Sequence, residues 1–449
     1  MSQLLSWAVA LFVLVAALNP TPSFAQDAET EASPAGALPP EVAQPGFDVL
    51  RVASGGTGRA YRVWEEWVPQ VVNTPDGGAW VFFTAQARED EGYGTRRLFA
   101  SRFDPTLAIW SPAEAIGKET TQFGATAAVD SKGAIHLVYS ERQTDTEEAW
   151  SQLVYQRLDG TDWSDPEAIA PHPDAGHQML PSLAIGRDDD LHLIWRDQRL
   201  VSAEQRLALP TNADLFSSDL VDGKWSDPVQ VNVREAADVN PAWPHLAIDG
   251  DRLVVVWSIY EGSTAEEMRS AARVEWSVRA RGGGDWSAPQ VLFRRESGDA
   301  GGRLIDLASD PTGGVVVVYG LYDKSVNQLY LQRLSPGAEA WSEPLLLTSG
   351  DYGYLPVAAI DVEGSVYIVF NSGRNRDVDI GGLKVAPDGA HDIAVSLTPG
   401  EGGITARASI ALDQNGVPWV VYMHQPTGAS NVTEIQGVRA ARFTPPPAP

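Results

Sequence analysis

The sequence predicts an all-β protein, a seven-bladed β-propeller of four-stranded antiparallel blades, with six blades as the alternative. Three observations support this prediction: an internal repeat, short apolar strands without helical periodicity, and an N-terminal segment that resembles the one strand that the repeat lacks. The repeat is marked by aspartates in tight turns, 51 to 61 residues apart. They are Asp76, Asp130, Asp188, Asp249, Asp310, Asp361 and Asp413.

Each repeat has an apolar strand, an Asp/Gly turn, a second apolar strand, a longer loop and a third strand. In the first five repeats a Trp-Ser pair closely followed by Pro opens the fourth strand, and the sixth repeat has lost this pair. The second strands are almost continuously apolar, which is typical of a sheet that is covered on both faces. Each second strand ends in an aromatic residue, for which we predict packing between blades, with an aromatic binding ring as the alternative. These residues are Phe83, Tyr139, Trp195, Trp257, Tyr319, Phe370 and Tyr422.

The seventh repeat ends after its third strand, residues 437–443, and has no fourth strand of its own. Residues 47–55 resemble the fourth strands that begin at Pro289 and Pro344. We therefore expect the N-terminal strand to pair beside residues 437–443 and to close the ring, which removes an exposed edge. An open solenoid is the alternative. The predicted organisation is a signal peptide at 1–25, a disordered linker at 26–46, the propeller at 47–444 and a Pro-rich tail at 445–449.

The N-terminal residues predict export. An apolar run from Leu4 to Leu18 precedes Ser23-Phe24-Ala25, a small-x-small cleavage pattern, although an uncleaved anchor is the alternative. The expected location is the periplasm or the extracellular medium, and no membrane span is expected in the mature chain. The chain has no cysteine and a net charge of −26, which argues against nucleic acid as a partner. We expect a monomer.

The long loops and the crossings between blades share one end of the propeller, and they contain most of the unusual polar residues. Arginines from different blades could clamp a carboxylate there, although each could instead pair with an adjacent acid. The candidate catalytic residues are Tyr260, Glu261, Tyr322, Asp323, Tyr354 and His424. The candidate ligand-binding residues are Arg62, Glu65, Arg88, Arg142, Arg196, Asp197, Trp243, Arg303, Arg374 and Arg407.

The Gly-x-x-Trp-Ser-x-Pro turn, as in Gly160–Pro166, resembles the turns of the sialidase superfamily of propellers with BNR-type repeats. The resemblance extends from Phe47 to Phe443, without an intact Asp-box. It implies a glycan-directed site. A glycosidase of that kind would use an arginine clamp, a tyrosine nucleophile beside a glutamate and an aspartate acid/base. A lyase would use tyrosine or histidine beside an arginine that neutralises a uronate.

No cofactor is expected, because the chain contains no phosphate loop or dinucleotide-binding glycine pattern. Calcium is the one possible exception, at Asp188–Asp190 or at Asn375, Asp377 and Asp379. The leading hypothesis is an exported propeller that binds or processes an acidic glycan, as a glycoside hydrolase or polysaccharide lyase. The alternative is a non-catalytic lectin or protein-interaction propeller in the cell envelope.

Overall fold

The structure of the protein is a computed structural model. It describes residues 47–54, 61–63, 68–87, 96–118, 120–143, 150–171, 176–208, 212–233, 236, 238–262, 271–294, 305–323, 326–348, 353–374, 377–391, 395–398, 404–425 and 437–443. Within these residues the secondary structure is almost entirely β, and no helix is long and apolar enough to span a membrane.

The strands form seven antiparallel blades, which confirms the predicted number. The first strand of the chain is β1 (Phe47–Ser54). Blade 1 contains β2 (Tyr61–Val63), β3 (Gln70–Asn73), β4 (Ala79–Ala87), β5 (Arg96–Asp104), β6 (Ile109–Trp110) and β7 (Glu114–Ala115). Blade 2 contains β8 (Gln122–Val129), β9 (Ile135–Gln143), β10 (Trp150–Asp159), β11 (Asp162–Trp163) and β12 (Glu167–Ala168). Blade 3 contains β13 (Gln178–Ile185), β14 (Leu191–Asp197), α1 (Ala203–Ala208), β15 (Asp214–Val221), β16 (Lys224–Trp225) and β17 (Val229–Gln230).

The remaining blades repeat this order. Blade 4 contains β18 (Val239–Asp249), β19 (Arg252–Glu261), β20 (Arg273–Ala280) and β21 (Gln290–Arg294). Blade 5 contains β22 (Ile305–Ser309), β23 (Val315–Asp323), β24 (Val326–Leu334) and β25 (Leu345–Leu346). Blade 6 contains β26 (Gly353–Ile360), β27 (Val366–Arg374), β28 (Asp377–Val385) and β29 (Val395–Ser396). Blade 7 contains β30 (Ile404–Leu412), β31 (Pro418–Gln425), β32 (Gly437–Phe443) and the N-terminal β1.

The ring is closed by the N-terminal strand, as the sequence predicts. β1 pairs antiparallel with β32 from Phe47 opposite Phe443 to Ser54 opposite Gly437. The first strands β3, β8, β13, β18, β22, β26 and β30 each contact the next, and together they form a closed inner ring. An open solenoid is therefore wrong.

The aromatic residues at the ends of the second strands are almost completely buried between blades, and this confirms the packing prediction. Tyr139 packs on Phe82 and Leu98 of blade 1, and Trp257 packs on Ile194 and Leu215 of blade 3. In every blade this aromatic residue packs against the preceding blade. The core is therefore a series of apolar clusters, each lying between two neighbouring blades.

The Trp-Ser pairs hold the outer strands in place. The hydroxyl oxygens of Ser164 and Ser287 accept hydrogen bonds from the third-strand amides of Arg157 (2.9 Å) and Val278 (3.1 Å). The tryptophan of each pair packs inward, as Trp225 does edge-on against Tyr155 of the preceding blade. Asp76 and Asp188 lie inside the tight turns of blades 1 and 3, which begin at Thr74 and Gly186.

Candidate functional site

Five of the seven innermost strands carry a β-bulge at the same position, close to the end where the long loops lie. At each bulge one residue adopts a positive φ and the pairing register shifts. Bulges re-aim side chains and often adjoin functional sites, and left-handed backbone at a non-glycine residue is strained. We call the ring of bulges the axial mouth. Its bulge residues are Gly124, Leu180, Trp243, Leu355 and Arg407.

Side chains of the preceding blade satisfy the backbone groups near these bulges. Ser140 donates to the Gln178 carbonyl at 3.2 Å, and Arg196 Nε donates to the Pro241 carbonyl at 3.0 Å. The amide of Arg407 donates to Asn371 Oδ1 at 3.1 Å. Ser140, Arg196 and Asn371 each directly follow the buried aromatic residue of their second strand. The same position of the repeat therefore supplies the side chains that hold the bulges of the next blade.

The polar part of the mouth lies at blades 6 and 7. Asn371 is buried, and its side chain contacts both the backbone of Arg407 and the phenol of Tyr354. Burial raises the pKa of Tyr354, while the Asn371 hydrogen bond and the positive charge of Arg407 oppose part of that rise. The phenol is therefore neutral at ordinary pH and can donate a proton. The structure thus brings together two of the predicted site residues, Tyr354 and Arg407.

The apolar part of the mouth lies at blades 3 and 4. Trp243 and Leu180, the bulge residues of these blades, both pack on a small cluster of Ala242, Tyr260 and Ala271. Trp243 is half-buried, and within the described residues its indole N–H has no hydrogen-bond partner. The exposed part of the indole ring is a surface on which the C–H face of a sugar ring can stack, whereas the N–H itself is buried. Tyr260 is itself buried in this cluster.

Below the mouth, a belt of mostly polar residues links neighbouring blades; each lies two positions after a bulge or at the equivalent position in blades 1 and 5. The amide of Leu183 donates to Thr126 Oγ1 at 3.3 Å, and the amide of Leu246 donates to Ser182 Oγ at 3.0 Å. Two residues further along the first strand the side chain is alanine in six of the seven blades, which lets the strands converge. The belt positions are Gln70, Thr126, Ser182, His245, Asp306, Val357 and Ser409.

One belt contact joins two titratable side chains. His245 Nδ1 lies 3.1 Å from Asp306 Oδ1, and Asp306 Oδ2 accepts a hydrogen bond from the amide of Ala358 at 2.8 Å. Both side chains keep part of their surface exposed. This pair is not among the site residues that the sequence predicts. The available signal was the repeat, because His245 and Asp306 occupy the same position in consecutive blades and interrupt otherwise apolar strands.

Two further predicted residues, Arg196 and Asp197, form hydrogen bonds with other buried groups of the protein. Asp197 is fully buried and accepts hydrogen bonds from Gln178 (3.0 Å), Trp195 (2.8 Å) and Arg199 (2.7 Å). Arg196 is also buried and donates to a backbone carbonyl of blade 4. Adjacent strand residues face opposite sides of a sheet. The expected pairing of Asp197 with its neighbour Arg196 is therefore wrong, and Arg199 takes that place.

The other described candidates have different surroundings. Glu261 forms an ion pair with Arg273 of the third strand. Arg142 is exposed, and the neighbouring Glu141 lies nearest to Lys118 at 3.7 Å, so the expected Glu141–Arg142 pair is also wrong. His424 is buried on β31, opposite Thr405.

The remaining predicted site residues cannot be placed in full. Glu65, Arg88 and Arg303 lie outside the described residues, as does the linker at 26–46. For four others the structure gives the strand but not the side chain; these are Arg62, Tyr322, Asp323 and Arg374.

The two segments considered for calcium have different surroundings. Asp188 and Asp190 form ion pairs with Arg281 at 3.3 and 2.5 Å, and Asp189 accepts a hydrogen bond from Ser131 at 2.6 Å. Asp379 accepts one from Ser396 at 3.2 Å. Within the described part of the chain no three His, Asp or Glu side chains cluster in a way that could hold a metal ion. Calcium binding stays a prediction.

Comparison with known proteins gives structural likeness alone. No family model and no curated protein sequence matches the chain. An ulvan lyase, described as a polysaccharide lyase bound to a GlcA–Rha3S unit, is similar with a TM-score of 0.53 and 12% identity over 87% of this chain and 94% of its own. A fungal alcohol oxidase in complex with copper has a TM-score of 0.52 and 12% identity over 86% of this chain and 76% of its own.

An α-L-arabinofuranosidase of Fusarium graminearum, in complex with an iminosugar inhibitor, reaches a TM-score of 0.48 and 13% identity over 89% of this chain and 97% of its own. At identities this low, the two likenesses with TM-scores above 0.5 support the propeller fold and nothing finer. The sialidase superfamily is not singled out among them.

Proposed function

We propose that this propeller binds an acidic glycan at the axial mouth and cleaves it by β-elimination next to a uronate. The observation that carries the proposal is the contact of Tyr354, Asn371 and Arg407 across blades 6 and 7. An arginine beside a neutral phenol combines a group that can neutralise a carboxylate with a group that can donate a proton.

The positive charge stands out because the chain as a whole carries a net charge of −26. Arg407 also has a φ of 60°, a strained backbone for a residue with a side chain. Its amide is held by Asn371, which fixes the backbone at the point from which the guanidinium extends. A strained and oriented arginine suits bidentate recognition of a planar carboxylate.

The surroundings of Tyr354 favour elimination over hydrolysis. A tyrosine nucleophile of the sialidase kind needs a carboxylate beside it to take up the phenolic proton. Among the described residues, the groups that act on the Tyr354 phenol are the Asn371 amide and the Arg407 guanidinium. Such a phenol is better suited to give a proton to a leaving oxygen than to attack a sugar carbon. The similar ulvan lyase, whose ligand contains GlcA, is consistent with this choice.

Non-catalytic glycan binding is the second candidate, and Trp243 favours it. Its half-buried indole beside Leu180 offers a stacking surface, which would serve a lectin as well as an enzyme. We further propose that the chain is exported as a monomer and that its repeats descend from the sialidase superfamily. The acidic surface and the N-terminal apolar run support export.

Calorimetry tests the binding, by comparing the affinity for uronate oligosaccharides with the affinity for the same oligosaccharides after reduction of their carboxyl groups. Ultraviolet absorbance tests the cleavage, because the unsaturated uronates that β-elimination forms absorb there. We expect the purified protein to bind only the acidic forms. Arg407→Leu should weaken binding at least about tenfold, a loss typical of a charged hydrogen bond. Arg102→Leu is the matched control, since Arg102 pairs with Asp76 at the short-turn end. Equal affinity for the reduced sugars would refute the proposal.

A further inference from the structure

The His245–Asp306 pair has the arrangement of an oriented base. Asp306 is fixed by two contacts, since one carboxylate oxygen accepts from the Ala358 amide (2.8 Å) and the other lies 3.1 Å from His245 Nδ1. At this distance a lone pair on Nδ1 would face the negative carboxylate, so the proton of a neutral His245 is favoured on Nδ1. Nε2 then carries a lone pair.

The open nitrogen of His245 distinguishes it from other histidines in the fold. The side chain of His245 is 30% exposed, and within the described residues Nε2 has no hydrogen-bond partner. In contrast, both ring nitrogens of His192 lie 2.7 Å from carboxylates, those of Asp190 and Asp219. His192 is almost completely buried and serves the packing of blades 3 and 4.

The pair is also close to the candidate site. His245 follows the mouth residue Trp243 by two positions, which is about 7 Å along a strand. Asp306 is bonded to Ala358, which lies four residues beyond Tyr354 on the same strand. The pair therefore links β18, which carries Trp243, with β26, which carries Tyr354.

Resting on the proposed function, we propose that His245 is the catalytic base of the axial site and that Asp306 is its positioning residue. The substrate class is a uronate-containing glycan. His245 Nε2 takes the proton from the carbon next to the carboxylate, and the C–H electron pair forms a carbon–carbon double bond. The glycosidic C–O bond on the following carbon breaks, and the leaving oxygen takes the phenolic proton of Tyr354. Solvent then returns the two groups to their starting states.

The first test needs no substrate. Diethyl pyrocarbonate modification of the full chain, mapped by mass spectrometry, should label His245 and the exposed His391 but not His192. Nitrogen NMR of the side chain should show the proton of His245 on Nδ1. In Asp306→Asn, the amide can still accept from Ala358 but must donate to Nδ1, so the proton should move to Nε2. An unlabelled His245, or a proton on Nε2 in the native protein, would overturn the assignment.

The second test separates chemistry from binding. His245→Gln and Asp306→Asn should bind uronate oligosaccharides within about threefold of the native affinity and lose at least about 100-fold in the rate of unsaturated product formation, the range for removal of a general base. If the native protein binds these ligands but releases no unsaturated product, or His245→Gln keeps the native rate, the base assignment fails while acidic-glycan binding stands. If the native protein does not bind uronate oligosaccharides at all, the proposed function itself is wrong.

Discussion

At the scale of single residues, the strained backbone of Arg407 has a measurable cost. With φ at 60°, the residue adopts a conformation that glycine tolerates far better than arginine. The side chain is therefore retained at the expense of local stability, as is common at binding sites. Leu355, the bulge residue of the neighbouring blade at a φ of 53°, carries the same strain without a charge.

We expect Arg407→Gly to lose binding of uronate oligosaccharides while the free energy of unfolding stays equal or rises by up to about 1 kcal/mol. Urea denaturation combined with calorimetry checks both effects. Leu355→Gly is the control for the strain alone, and it should show a similar gain. A loss of several kcal/mol in Arg407→Gly would mean that the arginine serves the fold rather than a ligand.

The neutral phenol of Tyr354 leads to a second expectation. Burial raises its pKa, so the group holds its proton at the pH at which it would act as an acid. Tyr354→Phe removes the transferable proton and keeps the ring. Binding should stay within about threefold, and product formation should fall at least about 100-fold. An unchanged rate of product formation would mean that a group other than Tyr354 donates the proton to the leaving oxygen.

At the scale of strands and turns, blades 3 and 4 are joined by a charged cluster at the short-turn end. Asp219 lies 2.7 Å from His192 Nδ1 and 2.6 Å from Arg279 of the neighbouring blade. The pKa of Asp219 is lowered from its ordinary value of 3.8, because the hydrogen bonds from His192 and Arg279 and their charges outweigh the effect of burial. The pKa of Asp190 is lowered in the same way, through Arg281 and His192.

This cluster predicts a loss of stability in acid. A carboxyl with a lowered folded-state pKa contributes its full stabilisation above the unfolded value near 4, and that contribution disappears as the pH falls through the folded value. Asp219→Asn should therefore be less stable than the native protein at neutral pH, and the difference should narrow below about pH 4. Thermal unfolding at several pH values measures this effect. Asp165→Asn, at an exposed site, is the control and should show no such narrowing.

Turns and strand ends could be predicted from the sequence where residues of the same repeat determine them. Turn glycines and the aromatic ends of second strands could be predicted, because each is determined by its own repeat. The bulges could not, since Leu180, Trp243 and Leu355 carry no sign in the sequence that they adopt a backbone usually left to glycine. The adjacent pairs Glu141–Arg142 and Arg196–Asp197 were predicted wrongly, because neighbours on a strand face opposite sides of the sheet.

At the scale of the whole molecule, closure by the N-terminal strand was predictable because the seventh repeat lacks a strand that residues 47–55 can supply. The candidate site was predictable only in part. Tyr354 and Arg407 were named for their residue types, but their contact depends on how blades 6 and 7 meet. His245 and Asp306 are 61 positions apart, and only the ring brings them together.

Closure of the ring by β1 predicts that the N-terminal strand stabilises the whole propeller. Deletion of residues 46–54 removes the partner of β32 and leaves its backbone groups unpaired. We expect the unfolding transition to move to lower temperature by at least about 5 °C, because the last blade loses a strand of eight residues. Deletion of residues 445–449 is the control. An unchanged transition after the first deletion would contradict closure of the ring.

The central claim is that an acidic glycan occupies the axial mouth, and a crystal structure with a bound uronate oligosaccharide tests it most directly. We expect the carboxylate within hydrogen-bonding distance of the Arg407 guanidinium, with the phenol of Tyr354 and Nε2 of His245 facing the sugar. A ligand bound at the short-turn end or along an outer strand, with the axial mouth empty, would contradict the account.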